Sequence, residues 1–458
     1  MNKKIFDLTI DELKDSLKSG QIPVCVIGIG RIGLPTALSI AKSGLSTVGL
    51  DINSDLVNRI NSGQFPLKDE PKYDEIFDDV LANKKFHAST EANEIIPKSD
   101  VFLLSLPTPM DENNIPDYSA LKSVSKQLHD FLTPGSLVVV ESTIEPGFLE
   151  NELIPIIEGS DKRLEAGKNF AIGVCPETAN PGEIMHDFEK LPRLVGGINQ
   201  KSSDIITELY KHVFPVQLIH MPNCKTANAV KLTTNVFRDV NIAFINELSI
   251  LFEKLGIDIN TVLDAAKTKY NFQVHYPGAG VGGPCLPINS YQFLNSSKEF
   301  DDDLLSIIKA GRKRNEKMPL YVVDMVDEVF SNEKKSLANC TLLVLGISYK
   351  PNVKDIQLTP AETIIKKLQE KGATIKIYDP YFKSTKVFGI QTENDLESIL
   401  SYVDGVILLT AHKEFLEITP SFLKSKMKNP VVIDTRGVFD VFDAKEVGLI
   451  FRSLGRKL

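Results

Sequence analysis

Pro23-Val-Cys-Val-Ile-Gly28-Ile-Gly30-Arg-Ile-Gly33-Leu-Pro-Thr-Ala-Leu38 runs from an apolar stretch through three glycines into a helix-compatible one. The pattern reads as a buried strand, a tight turn and an amphipathic helix. The first glycine permits the turn, the second lets another group approach the backbone, and the third lets helix lie close on strand. The helix start then faces a pyrophosphate. The next strand, Ser46-Thr-Val-Gly-Leu-Asp51, ends on an acid. A carboxylate there holds ribose hydroxyls and repels an extra phosphate, so NAD is expected over NADP. The expected cofactor contacts are Gly28, Gly30, Arg31, Ile32, Gly33 and Asp51. The alternative for Asp51 alone is a cap on the helix from Ser54 onward.

Strand and helix keep alternating beyond this unit. Val101-Phe-Leu-Leu-Ser-Leu-Pro-Thr108 and Ser136-Leu-Val-Val-Val-Glu-Ser-Thr143 are apolar strands that end in hydroxyl-bearing loops, with a helix near 118–131 between them. Doubly wound sheets bind ligands at that edge, so Thr108 and Thr143 are further cofactor candidates. Phe170-Ala-Ile-Gly-Val-Cys-Pro-Glu177 ends on a carboxylate at the same edge, a general base or an exposed loop acid.

After Pro222 the texture changes. Residues 225–256 read as one long helix without glycine or proline before Gly256, apolar on nearly all sides from 229 to 245. Lys231, Asn235 and Arg238 fall at i, i+4 and i+7, a polar stripe on a largely buried rod. A shorter helix at 258–268 leads to Tyr276-Pro-Gly-Ala-Gly-Val-Gly-Gly-Pro-Cys285-Leu-Pro-Ile-Asn289. Gly278, Gly280, Gly282 and Gly283 allow close approach to the main chain, and such a loop can surround an anionic or hydroxylated ligand with N–H groups. Pro284 and Pro287 fix the backbone around Cys285, which reads as a nucleophile rather than a buried thiol after a flexible turn. A third helix spans 302–329. A second strand–helix series begins at Leu337 and lacks the complete glycine fingerprint, so it should bind something other than the dinucleotide. Lys350 follows its first strand and Arg436 its last, positions where a pyrophosphate is welcome.

The expected architecture is α/β: two Rossmann-like doubly wound domains joined by a central helical domain with one long helix. The boundaries fall at 1–222 (with a leading helix in 1–20), 223–330 and 331–458, consistent with 458 residues being too many for one core. A net charge of −8 speaks against nucleic acid as a partner. No apolar run has the length of a membrane span, and the first residues lack the apolar core of a signal peptide, so a cytoplasmic location is expected. Five scattered cysteines without Cys-x-x-Cys pairs argue for free thiols and no metal.

Gly28-Ile-Gly30-Arg-Ile-Gly33-Leu-Pro, Pro176-Glu177, Lys231-Leu-Thr-Thr-Asn235, Asn246-Glu247-Leu, Gly282-Gly283-Pro-Cys285, Tyr349-Lys350-Pro and Tyr378-Asp379-Pro together resemble the UDP-glucose/GDP-mannose dehydrogenase family. Phe237-Arg238-Asp and Gly280-Val-Gly-Gly-Pro-Cys are similar to its N-acetylhexosamine branch, where Val281 and Ile288 replace residues usual in the UDP-glucose enzymes. The resemblance implies oxidation of a UDP-sugar carbon-6 alcohol to the carboxylate with two NAD⁺, through a thiohemiacetal and a thioester on Cys285. It implies oxyanion stabilisation by Lys231, positioning of water or substrate oxygen by Asn235, and general base action by Glu177. Arg238, Gly280, Gly282, Gly283, Asn289, Lys350 and Arg436 would contact the UDP-sugar. A homodimer around the long helix is also implied, because that helix has more apolar surface than one neighbouring sheet covers. UDP-N-acetyl-D-mannosamine is the first substrate expected, with UDP-N-acetylglucosamine or UDP-glucose as alternatives. Two positions depart from the family: Asn289 stands for its usual aspartate, and Gln357 for an arginine. They leave open a nucleotide-sugar-binding protein with impaired catalysis. A two-electron hydroxyacid-type dehydrogenase is a further alternative, but has no use for Cys285.

Overall fold

The structure is a computed structural model that describes residues 3–67, 70, 72–161, 163–301 and 303–456. Met1 and Asn2 of the expected leading helix, and Asp302 at the expected start of the third, lie outside the described residues. The chain forms two compact units, Met1–Thr234 with Tyr291–Glu299, and Asn235–Ser290 with Phe300–Leu458.

The first unit is built on a sheet of β1 (Val24–Ile27), β2 (Thr47–Leu50), β3 (Phe86–Ser89), β4 (Val101–Leu104), β5 (Leu137–Val140), β6 (Ala171–Val174), β7 (Arg193–Gly197) and β8 (Leu218–His220). Their order is β3-β2-β1-β4-β5-β6-β7-β8. β1 to β6 are parallel, β7 is antiparallel to β6, and β8 is parallel to β7. Both faces are covered, which is why the strands read as unbroken apolar runs. Cys25, Ile27, Phe102, Leu104, Val138 and Val140 enter the core on one face. Val24, Val26, Val101, Leu103, Leu137 and Val139 enter the core on the other. The leading helix is Ile10–Lys18, started by a capping box between Thr9 and Glu12. The strand order reverses between β1 and β4, so the crevice at their carboxyl ends is the natural ligand site.

In the second unit, β9 (Thr341–Leu345), β10 (Thr374–Tyr378), β13 (Gly405–Leu408), β14 (Val431–Asp434) and β15 (Ile450–Ser453) form a parallel sheet in the order β10-β9-β13-β14-β15. A small hairpin, β11 (Lys386–Val387) with β12 (Ile390–Gln391), follows β10. This sheet too separates two apolar layers. In sequence, helices join the two Rossmann-like sheets. The long helix is Cys224–Leu255, 32 residues, and Ile259–Ala266 and Ser306–Asn332 follow. An unforeseen helix, Leu286–Ser296, begins directly after Cys285. Pro287 and the glycines before it obscured that start, although proline fits a first helical turn. The long helix is less buried than its composition implies. Phe237, Phe244, Leu251 and Leu255 are exposed along it.

Candidate active site

In the first unit the glycine turn is built as its spacing demands. Gly28 has φ +85°, and its N–H donates to the Leu50 carbonyl at 2.8 Å. A Cβ on Gly33 would lie 1.8 Å from the Gly28 oxygen, so only glycine lets the helix Gly33–Lys42 start here. A Cβ on Gly30 would meet nothing within 4 Å, so the turn opens to solvent at that point. No side chain caps the helix among the described residues, and with Leu34 N–H donating to the Gly30 carbonyl at 3.1 Å and Pro35 having no N–H, the Gly33 N–H is the one its first turn offers to an anion. Asp51 Oδ2 accepts the Ile29 N–H at 3.0 Å, and Oδ1 accepts the Asn53 N–H at 2.9 Å. Asp51 therefore ties the second strand to the turn while staying partly exposed. These residues fit a dinucleotide. Arg31 turns instead to the buried Glu70, 3.2 Å away, which also accepts the Gly182 N–H at 2.7 Å.

Thr108 and Thr143 lie in the loops after β4 and β5. The connection between those loops is made by a residue the sequence did not single out. The Ser142 hydroxyl donates to the Leu106 carbonyl and accepts the Leu106 N–H, each at 2.8 Å. Thr143 contributes its carbonyl, which accepts from Gln292 Nε2 at 3.0 Å.

Glu177, past the end of β6, accepts the Ala179 N–H at 2.5 Å and lies 3.8 Å from Arg193 Nη2. Arg193 was missed. It is 3% exposed, and its guanidinium stacks between Phe188 and Phe214, 4.4 and 3.9 Å from their ring centroids. Glu141, bonded by the Ser105 and Tyr210 hydroxyls at 2.6 Å each, belongs to the same cluster. Burial pushes its carboxyl above the ordinary range, against the opposing pull of Arg193 and of both hydroxyls.

On the long helix, Lys231 and Asn235 are buried, each 8% exposed. Lys231 has no carboxylate within 4 Å among the described residues. Arg238 was expected on the same buried stripe but is exposed. It shares with Phe237 a side of the helix that its own chain leaves exposed.

In the second unit Cys285 is exposed, whereas Cys25, Cys175, Cys224 and Cys340 are buried. Its carbonyl accepts the Asn289 N–H at 2.8 Å, so Cys285 caps the helix Leu286–Ser296. Asn235 Nδ2 donates to Asn289 Oδ1 at 2.5 Å. The fold thus joins Asn235, Asn289 and the Cys285 backbone.

The glycines of this loop serve packing as much as ligand access. A Cβ on Gly278 would lie 2.2 Å from Arg436 Nη1, one on Gly282 2.4 Å from the Leu358 oxygen, and one on Gly283 2.7 Å from the Tyr349 ring. A Cβ on Gly280 would press on Pro360, 3.1 Å away. The Gly278 N–H donates to Asn246 and the Gly283 N–H to the Gln357 carbonyl, both at 2.9 Å. The expectation that these amides surround a ligand is corrected for those two, whose hydrogens are used inside the protein. Gln357 acts here through its backbone. Arg436 follows β14 and Lys350 follows β9, both at carboxyl ends.

The two sheets share a turn geometry as well as the alternation of strand and helix. Gly346 has φ +78°, and its N–H donates to the Tyr378 carbonyl at 3.0 Å. Asp379 Oδ2 accepts the Ile347 N–H at 2.8 Å, and Oδ1 accepts the Tyr381 N–H at 2.9 Å. This repeats the Gly28–Ile29–Asp51 arrangement. Here, unlike Asp51, Asp379 is closed off: His412 Nε2 sits 3.1 Å from its Oδ2, and both side chains are fully buried. The next helix starts only at Pro360, far from the turn.

Residues 22–214 match the NAD-binding domain of the UDP-glucose/GDP-mannose dehydrogenase family, 225–317 its central domain, and 343–441 its UDP-binding domain. A UDP-N-acetyl-D-mannosamine dehydrogenase of Pyrococcus horikoshii is 32% identical over 435 residues, covering 94% of this chain and 99% of that one. The solved UDP-D-ManNAc dehydrogenase from the same organism superposes with a TM-score of 0.87 at 30% identity, covering 95% of this chain and 99% of that one. An NDP-N-acetyl-D-galactosaminuronic acid dehydrogenase of Methanosarcina mazei superposes at 0.83 with 28% identity, over 97% of this chain and 98% of that one. On its three domain matches, its turn for NAD and its exposed loop cysteine, the chain belongs to the UDP-glucose/GDP-mannose dehydrogenase family and is an NAD-dependent UDP-sugar dehydrogenase.

Proposed function

We propose that the chain oxidises the carbon-6 alcohol of a UDP-N-acetylhexosamine, with UDP-N-acetyl-D-mannosamine the first substrate to try, to its uronate by a four-electron route through Cys285. The observation that carries this reading is an exposed thiol at a helix start, ending a glycine loop, while the other four cysteines are buried. NAD supplies the hydride acceptor, twice per product. Gly28, Gly30, Gly33 and Asp51 hold it, and Thr108 and Thr143 border it. Lys231 stabilises the oxygen of the alkoxide and of the hemiacetal, a role that suits a buried ammonium without a carboxylate partner among the described residues.

The Cys285 thiolate adds to the aldehyde carbon, and loss of the second hydride from that carbon leaves a thioester, which is activated toward hydrolysis. Asn235 and Asn289 position the water, and Glu177 takes its proton as the thiol leaves. Lys350 and Arg436 meet the diphosphate, while Arg238 meets the sugar. We assign residues 1–222 to cofactor binding, 223–330 to the catalytic segment and 331–458 to the UDP-sugar. The chain works as a homodimer around the long helix. The N-acetylmannosamine choice follows the Pyrococcus relative, and the galactosaminuronate relative makes the sugar epimer the first variable to test.

Cys285→Ser tests the route. NAD-dependent turnover should fall by about 10³-fold or more, the scale of losing an activated nucleophile, while NAD binding stays near wild type. The wild type should form two NADH per sugar. One NADH per sugar, or full turnover by Cys285→Ser, would return the chain to a two-electron dehydrogenase.

A further inference from the structure

A buried chain of polar groups in the second unit grips the Cys285 loop from both sides, and Asp239 is its centre. The Asp239 side chain is fully buried. Its Oδ1 accepts from Arg312 Nη1 at 2.7 Å and from Asn315 Nδ2 at 2.8 Å. Its Oδ2 accepts from the Ser290 hydroxyl at 2.7 Å. Ser290 lies in the first turns of the helix that Cys285 caps. Asn315 Oδ1 in turn accepts from Asn246 Nδ2 at 3.0 Å, and Asn246 Oδ1 accepts the Gly278 N–H at 2.9 Å. Gly278, Asn246, Asn315, Asp239 and Ser290 thus form one continuous relay, anchored before and after Cys285. None of its side chains is exposed, so water cannot replace a lost partner.

We propose that Asp239 is a positioning residue for Cys285: its carboxylate locks both ends of the 278–290 loop and so fixes where the thiol stands. Arg312 neutralises the buried carboxylate, and the two asparagines carry the restraint to Gly278. This role rests on Cys285 being the acyl carrier, but the restraint itself is measurable without turnover.

The test uses Ser290→Ala and Asn246→Ala, which cut the relay at opposite ends while leaving the Asp239–Arg312 pair intact. Ser249→Ala is the control. Ser249 is equally buried on the long helix, but its hydroxyl donates only to the Asn246 carbonyl of its own helix, at 2.8 Å. Alkylation by iodoacetamide reads Cys285 because the other thiols are buried. Each relay variant should speed that alkylation about fivefold, the equivalent of one buried hydrogen bond. Each should also lower kcat by a similar factor with the KM for NAD unchanged, while Ser249→Ala changes neither. Wild-type alkylation rates in both relay variants would overturn the proposal, as would an equal change in the control. Failure of the Cys285 route itself shows separately, as undiminished turnover in Cys285→Ser.

Discussion

Asn235 donates a side-chain hydrogen to Asn289 Oδ1 across 2.5 Å, one helical turn beyond Cys285. A carboxylate at position 289 could accept the same hydrogen bond, so Asn289→Asp keeps the contact and adds a group able to take a proton. Thioester hydrolysis should quicken on the order of tenfold, below the 10²–10⁴ of an optimally placed acid–base group. The lifetime of the acylated enzyme, followed by mass spectrometry after one turnover, checks it. An unchanged lifetime would mean that Asn289 only orients Asn235.

Glu177 has its own support. Arg193, clamped between Phe188 and Phe214, stands 3.8 Å from it, and the Ala179 N–H holds the other oxygen. Glu177→Gln keeps the shape and the Ala179 bond but cannot take a proton. The expected result is a burst of NADH, then a stall with substrate held on Cys285. Arg193→Met keeps the stacking volume but leaves the buried carboxyl groups without their cation. Removing one partner of a buried pair costs about 3–5 kcal/mol, so its Tm should drop by roughly 6 °C or more. A wild-type Tm would show that the arginine has no such charge to balance.

Asp51 is the residue proposed to select NAD. Asp51→Asn retains an oxygen for the Ile29 or Asn53 N–H but removes the charge. The preference for NAD over NADP should narrow by roughly tenfold or more, since a hydrogen bond to a charged group contributes about 1.5–3 kcal/mol. The ratio of kcat/KM for the two cofactors measures it.

Thiol chemistry separates Cys285 from the rest. Burial pushes Cys175 and Cys224 up to about 12, and Cys25 and Cys340 up as well. Near pH 8 those four thiols hold their protons, and the thiolate is the reactive form. The native protein should therefore take up one iodoacetamide label, Cys285→Ser none, and the denatured wild type five. More than one rapid label on the native protein would contradict the burial.

Much of this was legible where the constraint is local. Gly28, Gly33 and Asp51 follow from one turn, because a Cβ at Gly33 cannot coexist with the Gly28 carbonyl. The glycine loop was equally visible, but its reason was not. Gly282 and Gly283 face Leu358 and Tyr349, neighbours that only the folded chain supplies. The Asp379–His412 pair and the Asp239 relay were hidden for the same reason, being polar contacts between distant segments with no spacing rule. Arg193 reads as an ordinary strand residue until Phe188 and Phe214 close over it.

The last prediction concerns association. Phe237, Phe244 and Leu251 recur every seven residues on the long helix and are 48%, 52% and 47% exposed, with Leu255 at 61% beyond them. Seven residues bring a helix back to nearly the same face, so these side chains form one apolar stripe. Apolar side chains left in water along one face cost about 25 cal/mol for each Å². A second copy offering the same stripe across a two-fold axis satisfies both faces at once. Light scattering at micromolar protein should give twice the 50.8 kDa of one chain. Phe244→Asp, at the middle of the stripe, sets two like charges close together across that axis and should return the single-chain mass. Because Phe244 is exposed within its own chain, the fold should survive, and far-ultraviolet circular dichroism checks that. A dimer that persists in Phe244→Asp would place the contact on another surface.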